Sequence, residues 1–299
     1  MNPVSPRNGA SRWLARSTLA LLLGIPPVLA FQSGQAADIS PRQAPSMPIP
    51  GTDLAREIAQ AAPTPAVYQG HLLFRSADGS RQNLPLTLAL YNDGDHSWTA
   101  LYQAGSTSAG ETLWIKHLSD GSLQMRFAPG AVLPKSYFNP HQQPDATGGL
   151  EISTPEPVGK TIGPEDWMKS FAGSDFSPAD LGLAFLHWPR QTILRRETHR
   201  SRGCTVLESV QLDAPTGGYV RVVSWVDDET HGILEAWAYD QDGHKVKEFY
   251  PKDFKKVNGQ WQVQTLIMDN MLTGSRARVE WDLKNLKGDP DENPTVKGL

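Results

Sequence analysis

The chain is short of nearly everything that announces an enzyme. It holds one cysteine in 299 residues, Cys204, so no disulfide can form within it. In a strand beside Val206 that thiol reads as a small apolar residue. The eight histidines include no H-x-H or H-x-x-x-H pair, and none has a carboxylate at ligand spacing, so no metal is expected. No G-x-S-x-G elbow, phosphate-binding P-loop or G-x-G-x-x-G turn occurs, so no nucleotide or other cofactor is expected. Basic charge is not in excess, with 28 Lys and Arg against 32 Asp and Glu, which argues against a nucleic-acid partner. Long apolar runs are also missing. The longest, over residues 19–25, is too short to span a bilayer.

That run belongs to an export signal. Arg7, Arg12 and Arg16 precede it, and Ala30, Ala36 and Ala37 follow, which is the order of a secretory signal peptide over residues 1–36. No cysteine lies nearby, so lipidation of the new amino terminus is not expected. Removing three basic residues leaves 25 − 32 = −7, against −4 for the whole chain. Residues 37–50 carry four prolines and read as an extended linker. Thr52 is expected to cap a short helix with Leu54, Ile58 and Ala62 on one face, stopped by Pro63.

Beyond Pro63 the period is two. Leu72 and Phe74, then Leu86, Leu88 and Leu90, then Leu123, Met125 and Phe127 share faces, and Asp-Gly turns at 78–79, 93–94 and 120–121 separate the runs. Further strands are expected near 191–199, 204–212, 219–227, 233–240, 245–250, 260–269 and 276–284. In the last two, Trp261, Val263, Thr265 and Ile267 share a face, as do Ala277, Val279, Trp281 and Leu283. One-sided alternation means antiparallel pairing over a core. Residues 134–162 are rich in Pro and Gly and suggest a flap beside a cavity, with Tyr137 and Phe138 in it. Residues 285–299 read as a flexible tail.

Residues 163–186 break the strand rhythm. Pro164, Glu165 and Asp166 suit a first helical turn, with Trp167 and Phe171 four apart on one face and Gly173 at the stop. Ser177, Pro178 and Asp180 have the spacing of a capping box, flanked by Phe176 and Leu181 as a hydrophobic staple. Two short helices are expected. The stretch Lys169-Ser170-Phe171-Ala172-Gly173-Ser174-Asp175-Phe176-Ser177, with Asp180-Leu181, resembles the signature of bacterial outer-membrane lipoprotein-sorting proteins, the group similar to the carriers LolA and LolB. Downstream, the strand holding Cys204, Tyr219 to Asp227, Tyr239-Asp240-Gln241-Asp242-Gly243, Lys247-Glu248 and Asn258-Gly259-Gln260-Trp261 agree. The resemblance covers about residues 165–284, and more loosely from 51. It implies a curved antiparallel sheet forming an incomplete barrel covered by short helices, in a single domain over 51–284 with its lid near 163–186.

It also implies a periplasmic, non-enzymatic carrier for acylated ligands. The partners would be lipid or lipoprotein acyl chains and envelope transport proteins. Acyl chains would lie between the concave sheet and the lid. The cavity candidates are Phe74, Leu88, Met125, Phe127, Trp167, Phe171, Phe176, Leu181, Trp225, Trp237, Trp261 and Trp281, and the hinges Gly173 and Gly182. In the family an arginine holds the lid closed, and no counterpart is evident in this sequence. Arg195, Arg196, Arg200 and Arg202 form a basic cluster at one hairpin. Two other classes fit the same residues: an envelope sensor or protein-interaction module on this fold, and a serine hydrolase using Ser174 with His187 or His199 as base. Capping and turn roles already account for Ser174 and Asp175. The signal predicts that amino-terminal sequencing of the exported protein will find its first residue between Phe31 and Asp38. Retention of Met1 would contradict it.

Overall fold

A meander forms when each strand's successor can pair with it directly, and short polar turns allow that almost everywhere in this chain. The computed structural model describes residues 49–106, 109–138, 143–144, 150–151, 154–212, 218–257 and 260–283. The expected signal peptide, residues 37–48 of the linker, the 285–299 tail and the Asn258-Gly259 turn lie outside these residues. The strands are β1 Ile49–Pro50, β2 Ala66–Arg75, β3 Arg81–Gly94, β4 Ser97–Ala104, β5 Glu111–His117, β6 Leu123–Pro129, β7 Gln143–Pro144, β8 Leu150–Glu151 and β9 Lys160–Thr161. They continue as β10 Arg190–His199, β11 Arg202–Val210, β12 Arg221–Asp227, β13 Ile233–Tyr239, β14 Lys245–Val257, β15 Gln260–Asn270 and β16 Ser275–Trp281. The α-helices are α1 Thr52–Gln60 and α2 Pro178–Leu181.

Fourteen strands make one antiparallel sheet in the order β1-β10-β11-β12-β13-β14-β15-β16-β2-β3-β4-β5-β6-β9, and β7 pairs with β8 alone. Two consecutive meanders, β2 to β6 and β10 to β16, are joined where β16 pairs with β2, with Trp281 opposite Gly70 and Arg276 opposite Arg75. The outer strands β1 and β9 do not meet, so the sheet is curved but open, as expected of an incomplete barrel. The last two residues of the expected linker are β1, which pairs with β10. Helix α1 starts from Gly51 with no side-chain cap, so Thr52 lies inside the helix rather than capping it.

The main core lies on the concave face. Leu72, Leu86, Leu88, Leu90, Met125, Ala277, Val279, Trp281 and Leu283 all belong to it, as their alternation predicts, with Phe74 and Phe127 packed against it. Strand β15 departs from the expected alternation. Its pairing with β14 slips twice, between Pro251 and Asp253 and between Asp253 and Phe254, as the β15 partners step from Leu266 to Thr265 to Val263. One extra residue on each strand at this point reverses the phase. Leu266 and Met268 therefore join Val263 in the core, and Ile267, though buried, does not.

Two smaller apolar clusters occupy the opposite face. One holds Cys204, Val206, Val223, Trp225 and Leu234, so the lone thiol is the buried strand residue expected of it. The other holds Ala89, Tyr91, Leu101 and Trp114 under Tyr137 and Phe138. These two aromatic residues lie in a 3-10 turn, Lys135–Phe138, and the Tyr91 hydroxyl donates to the Tyr137 carbonyl. This part of the 134–162 segment therefore covers the outer face and does not flank the concave interior.

Gly70 marks the seam between the meanders. A Cβ there would sit 2.0 Å from the Glu280 carbonyl oxygen, so the two backbones approach as only glycine permits. Gly70→Ala should destabilise the protein by about 3 kcal/mol, the upper range for overpacking. Urea unfolding checks this, and a change below about 1 kcal/mol would show that the seam can yield.

Candidate binding site beneath a clasped segment

The 163–188 segment covers the concave face with very little regular helix. Residues 164–169 form successive turns in which Asp166, Trp167 and Lys169 amides reach back three residues. They do not form the first of the two expected helices. Ala172 and Gly173 both take positive φ, 52° and 69°, and this reverses the chain before a helix can establish itself. The capping box is present as read. The Ser177 hydroxyl accepts from the Asp180 amide, Asp180 accepts from the Ser177 amide, and Pro178 opens α2. A 3-10 turn, Ala184–His187, follows a left-handed Leu183.

Inward, the segment presents Phe171, Phe176, Leu181, Leu183, Phe185 and Leu186, all buried in the main core. Tyr102 meets Phe171 edge-on at 6.4 Å. Trp167 is partly buried against the same core and donates from Nε1 to the Ile162 carbonyl at 3.0 Å. Among Leu183, Phe185, Val222, Ala236 and Met268 the space left is only about 20 Å³. Gly182 is not a free hinge. A Cβ on it would meet Met125 Cε at 2.7 Å, so it is a close-packing position.

Nine of the twelve candidate residues converge on this interior: Phe74, Leu88, Met125, Phe127, Trp167, Phe171, Phe176, Leu181 and Trp281. The other three do not. Trp225 and Trp237 lie on the outer face, 4.7 Å apart edge to face, with their Nε1 atoms donating to Glu197 and Glu235. Trp261 is 37% exposed beside an outer groove of about 320 Å³ that includes Arg200, Arg202, Leu234, Pro251 and Phe254. Strand β12 is apolar on both sides, with Val222 and Val226 on one face and Val223 and Trp225 on the other, so alternation cannot say which side is the core. Of the basic cluster, Arg200 pairs with Glu235, Arg202 with Asp227 and Glu229, and Arg195 with Glu197.

A polar clasp fixes the segment from the other side. Lys247, on β14, donates from Nζ to Asp180 Oδ2 at 2.6 Å and to the Asp175 carbonyl at 2.8 Å. The Tyr219 hydroxyl donates to Asp180 Oδ1 at 2.8 Å. Burial and the Asp180 carboxylate push that phenol well above its ordinary pKa, so it remains a donor. Asn270 Nδ2 and Ser275 Oγ, from β15 and the start of β16, both donate to Asp175 Oδ1 at 3.0 and 2.7 Å. Lys247 is thus the basic residue that fastens the segment to β14. Lys247-Glu248 belongs to the family resemblance, but nothing local in the sequence marks Lys247 rather than Lys245 as the partner of Asp180.

The hydrolase constellation does not assemble. The Ser174 hydroxyl donates to the Phe171 carbonyl at 2.7 Å and accepts from the Phe176 amide. His199 bonds Glu235. His187 binds the Gly121 carbonyl through Nδ1 at 2.7 Å and His117 Nδ1 through Nε2 at 3.2 Å. Because a carbonyl only accepts, His187 Nδ1 carries the proton, and Nε2 then accepts from His117. His117, fully buried and stacked on Trp98 at 3.8 Å, was not read from sequence as a site residue. Asp240, Asp242 and His244 bring ligand atoms within 4.8 Å of one another at the β13–β14 turn. Asp242 and His244 are exposed, and Asp240 Oδ1 accepts both their amides. The group is a carboxylate-capped turn.

A sequence-family profile described as "-like: Uncharacterized protein" matches residues 159–292, just under half of the chain. No curated protein matches the sequence. The structure is similar to a DUF1329 family protein from Desulfovibrio piger, with 18% identity and a TM-score of 0.56 over 80% of this chain and 92% of that one. It is similar also to a domain from Vibrio parahaemolyticus named for outer membrane lipoprotein sorting. There the identity is 19% and the TM-score 0.55, over 77% of this chain and 89% of that one. The fold implied by the 169–181 signature is the fold found.

Two outcomes follow. Lys247→Met should leave Asp180 buried without its cation and cost about 3 kcal/mol. Hydrogen exchange should accelerate over residues 171–187 before it does in β2 to β5, and uniform acceleration would mean there is no separate clasp. The second outcome concerns pH. Burial lowers the pKa of both His117 and His187, and the nearby His187 lowers that of His117 further. The folded state then binds fewer protons than the unfolded chain below pH about 6.5. Stability should be complete above that value and fall as the pH drops through it. Urea midpoints between pH 7.5 and 5.0 test the sign.

Proposed function

We propose that the protein binds acylated ligands in the bacterial envelope and carries them without catalysis. The observation that carries this reading is the two-sidedness of the 163–188 segment. Its inner side is a row of phenylalanine and leucine side chains on an apolar concave sheet, and its outer side is fastened by a few polar bonds centred on Asp180. A ligand chain would replace Phe171, Phe176, Leu181 and Phe185 on the sheet as the segment lifts, lying against Leu88, Met125 and Trp281. Each buried methylene contributes about 0.8 kcal/mol, so even a partly enclosed chain can offset the loss of such contacts. Gly173, whose φ is positive and whose Cβ position is open but for Gln82 Oε1 at 3.7 Å, is the point at which the segment turns. Export on the 1–36 signal would place the protein in the periplasm, and no helix among the described residues is long and apolar enough to cross a membrane.

One observation favours a second reading, a protein-interaction or sensing module. Little space is left among Leu183, Phe185 and Met268, while an outer groove beside Trp261 is open. Phe176→Ala separates the two. The ring is 1% exposed, so its loss should cost about 3 kcal/mol in either case. As a carrier, the folded protein should also bind a fluorescent fatty-acyl probe, and the variant should change that affinity. Stability loss with no probe binding in either protein would refute the carrier reading.

A further inference from the structure

We infer that the cleft beside the clasp is a binding site for a small primary amine, with Asp175 as the acceptor of its N–H groups. The cleft, about 910 Å³, opens where residues 168–177 meet the turns at 76–80, 240–244 and 270–275. Asp175 lines it and is only 8% exposed. Its Oδ1 receives both Asn270 and Ser275, while Oδ2, also buried, has no hydrogen-bond partner among the described residues. A buried carboxyl oxygen without a donor bears the desolvation cost with nothing in return, which a charge-assisted bond from an entering ammonium would recover.

The charge around it selects the ligand. Asp78, Asp175, Asp240 and Asp242 line the cleft against one base, Lys247, for a formal sum of 1 − 4 = −3. Lys247 is already engaged by Asp180 and the Asp175 carbonyl, so it does not answer Oδ2. An anion is disfavoured, and a neutral hydroxyl gains a hydrogen bond but leaves the negative charge of the cleft unanswered. An ammonium group gains both the charge and the donors. Phe74, Met168 and Val246 give the methylenes next to the nitrogen an apolar wall. The inference is independent of the acyl-carrier reading, because it concerns the polar cleft and not the apolar interior.

The test uses the mature protein labelled with ¹⁵N, titrated at constant ionic strength with ethanolamine, choline and ethylene glycol. Ethanolamine should give saturable shifts at Ser174, Asp175, Ser177, Lys247 and Asn270, with a dissociation constant at least tenfold below that of ethylene glycol. Choline, which is cationic but has no N–H donor, should bind at least tenfold more weakly than ethanolamine. Asp175→Asn keeps an oxygen for Asn270 and Ser275 but puts an amide donor in place of Oδ2. It should reduce ethanolamine binding to the level of ethylene glycol. No saturable ethanolamine shift, equal binding of ethanolamine and choline, or a variant that binds as the parent does would each overturn the assignment. The ranking of the three probes on the parent protein decides the matter even if the variant fails to fold. Dodecanoate, with an acyl chain and no ammonium, tests the carrier reading separately.

Discussion

The buried carboxylate of Asp180 determines where the covering segment sits. A helix of four residues has too few internal bonds to hold itself, so its position must come from outside. Asp180 supplies that from one side chain, 7% exposed, which closes the capping box on Ser177, accepts the Tyr219 hydroxyl and pairs with the Lys247 ammonium. The first of these bonds is local and makes the turn, whereas the other two reach 39 and 67 residues along the chain and place it. Removing the carboxylate would undo the turn and its placement together. An apolar row alone would be held by area and could slide; the clasp gives it a register.

The two faces of the sheet are used differently. The concave face is covered by side chains from the covering segment, and the outer face carries two separate aromatic patches, in one of which carboxylates meet the indole N–H groups. Trp225 and Trp237 show the second pattern: each indole N–H has a glutamate, and His199 stacks on Trp225 at 4.9 Å. Burying large rings on an outer face without a covering layer requires that their polar edges be answered there.

How much of this was legible in the sequence depended on whether the deciding signal was local. Ser177, Pro178 and Asp180 revealed their capping box because its partners lie three residues apart. Leu86, Leu88 and Leu90 revealed their face because polar neighbours contrast with them. The same logic failed where the contrast vanished, at Val223 and Trp225, and where a bulge changed the phase, at Leu266 and Met268. It failed at residues 164–169, whose helical composition is overridden by the reversal at Ala172 and Gly173. Lys247 and His117 were out of reach for another reason. Their partners, Asp180 and His187, lie 67 and 70 residues away, and no spacing rule relates them.

The pairing of β16 with β2 has a consequence in time. Trp281 and Gly70 are 281 − 70 = 211 positions apart, and the hydrogen bonds between their strands unite the two meanders. Contacts at that separation require closing a very long loop before they are rewarded, so they form late and folding is slow. A chain emerging amino terminus first has β2 to β6 in hand, with the edge of β2 unpaired, until the final strand arrives. For that interval the nascent protein presents an apolar concave surface and an open edge together, which is the state most prone to association with other chains. The order of the strands therefore leaves the edge of β2 without its partner until the chain is nearly complete.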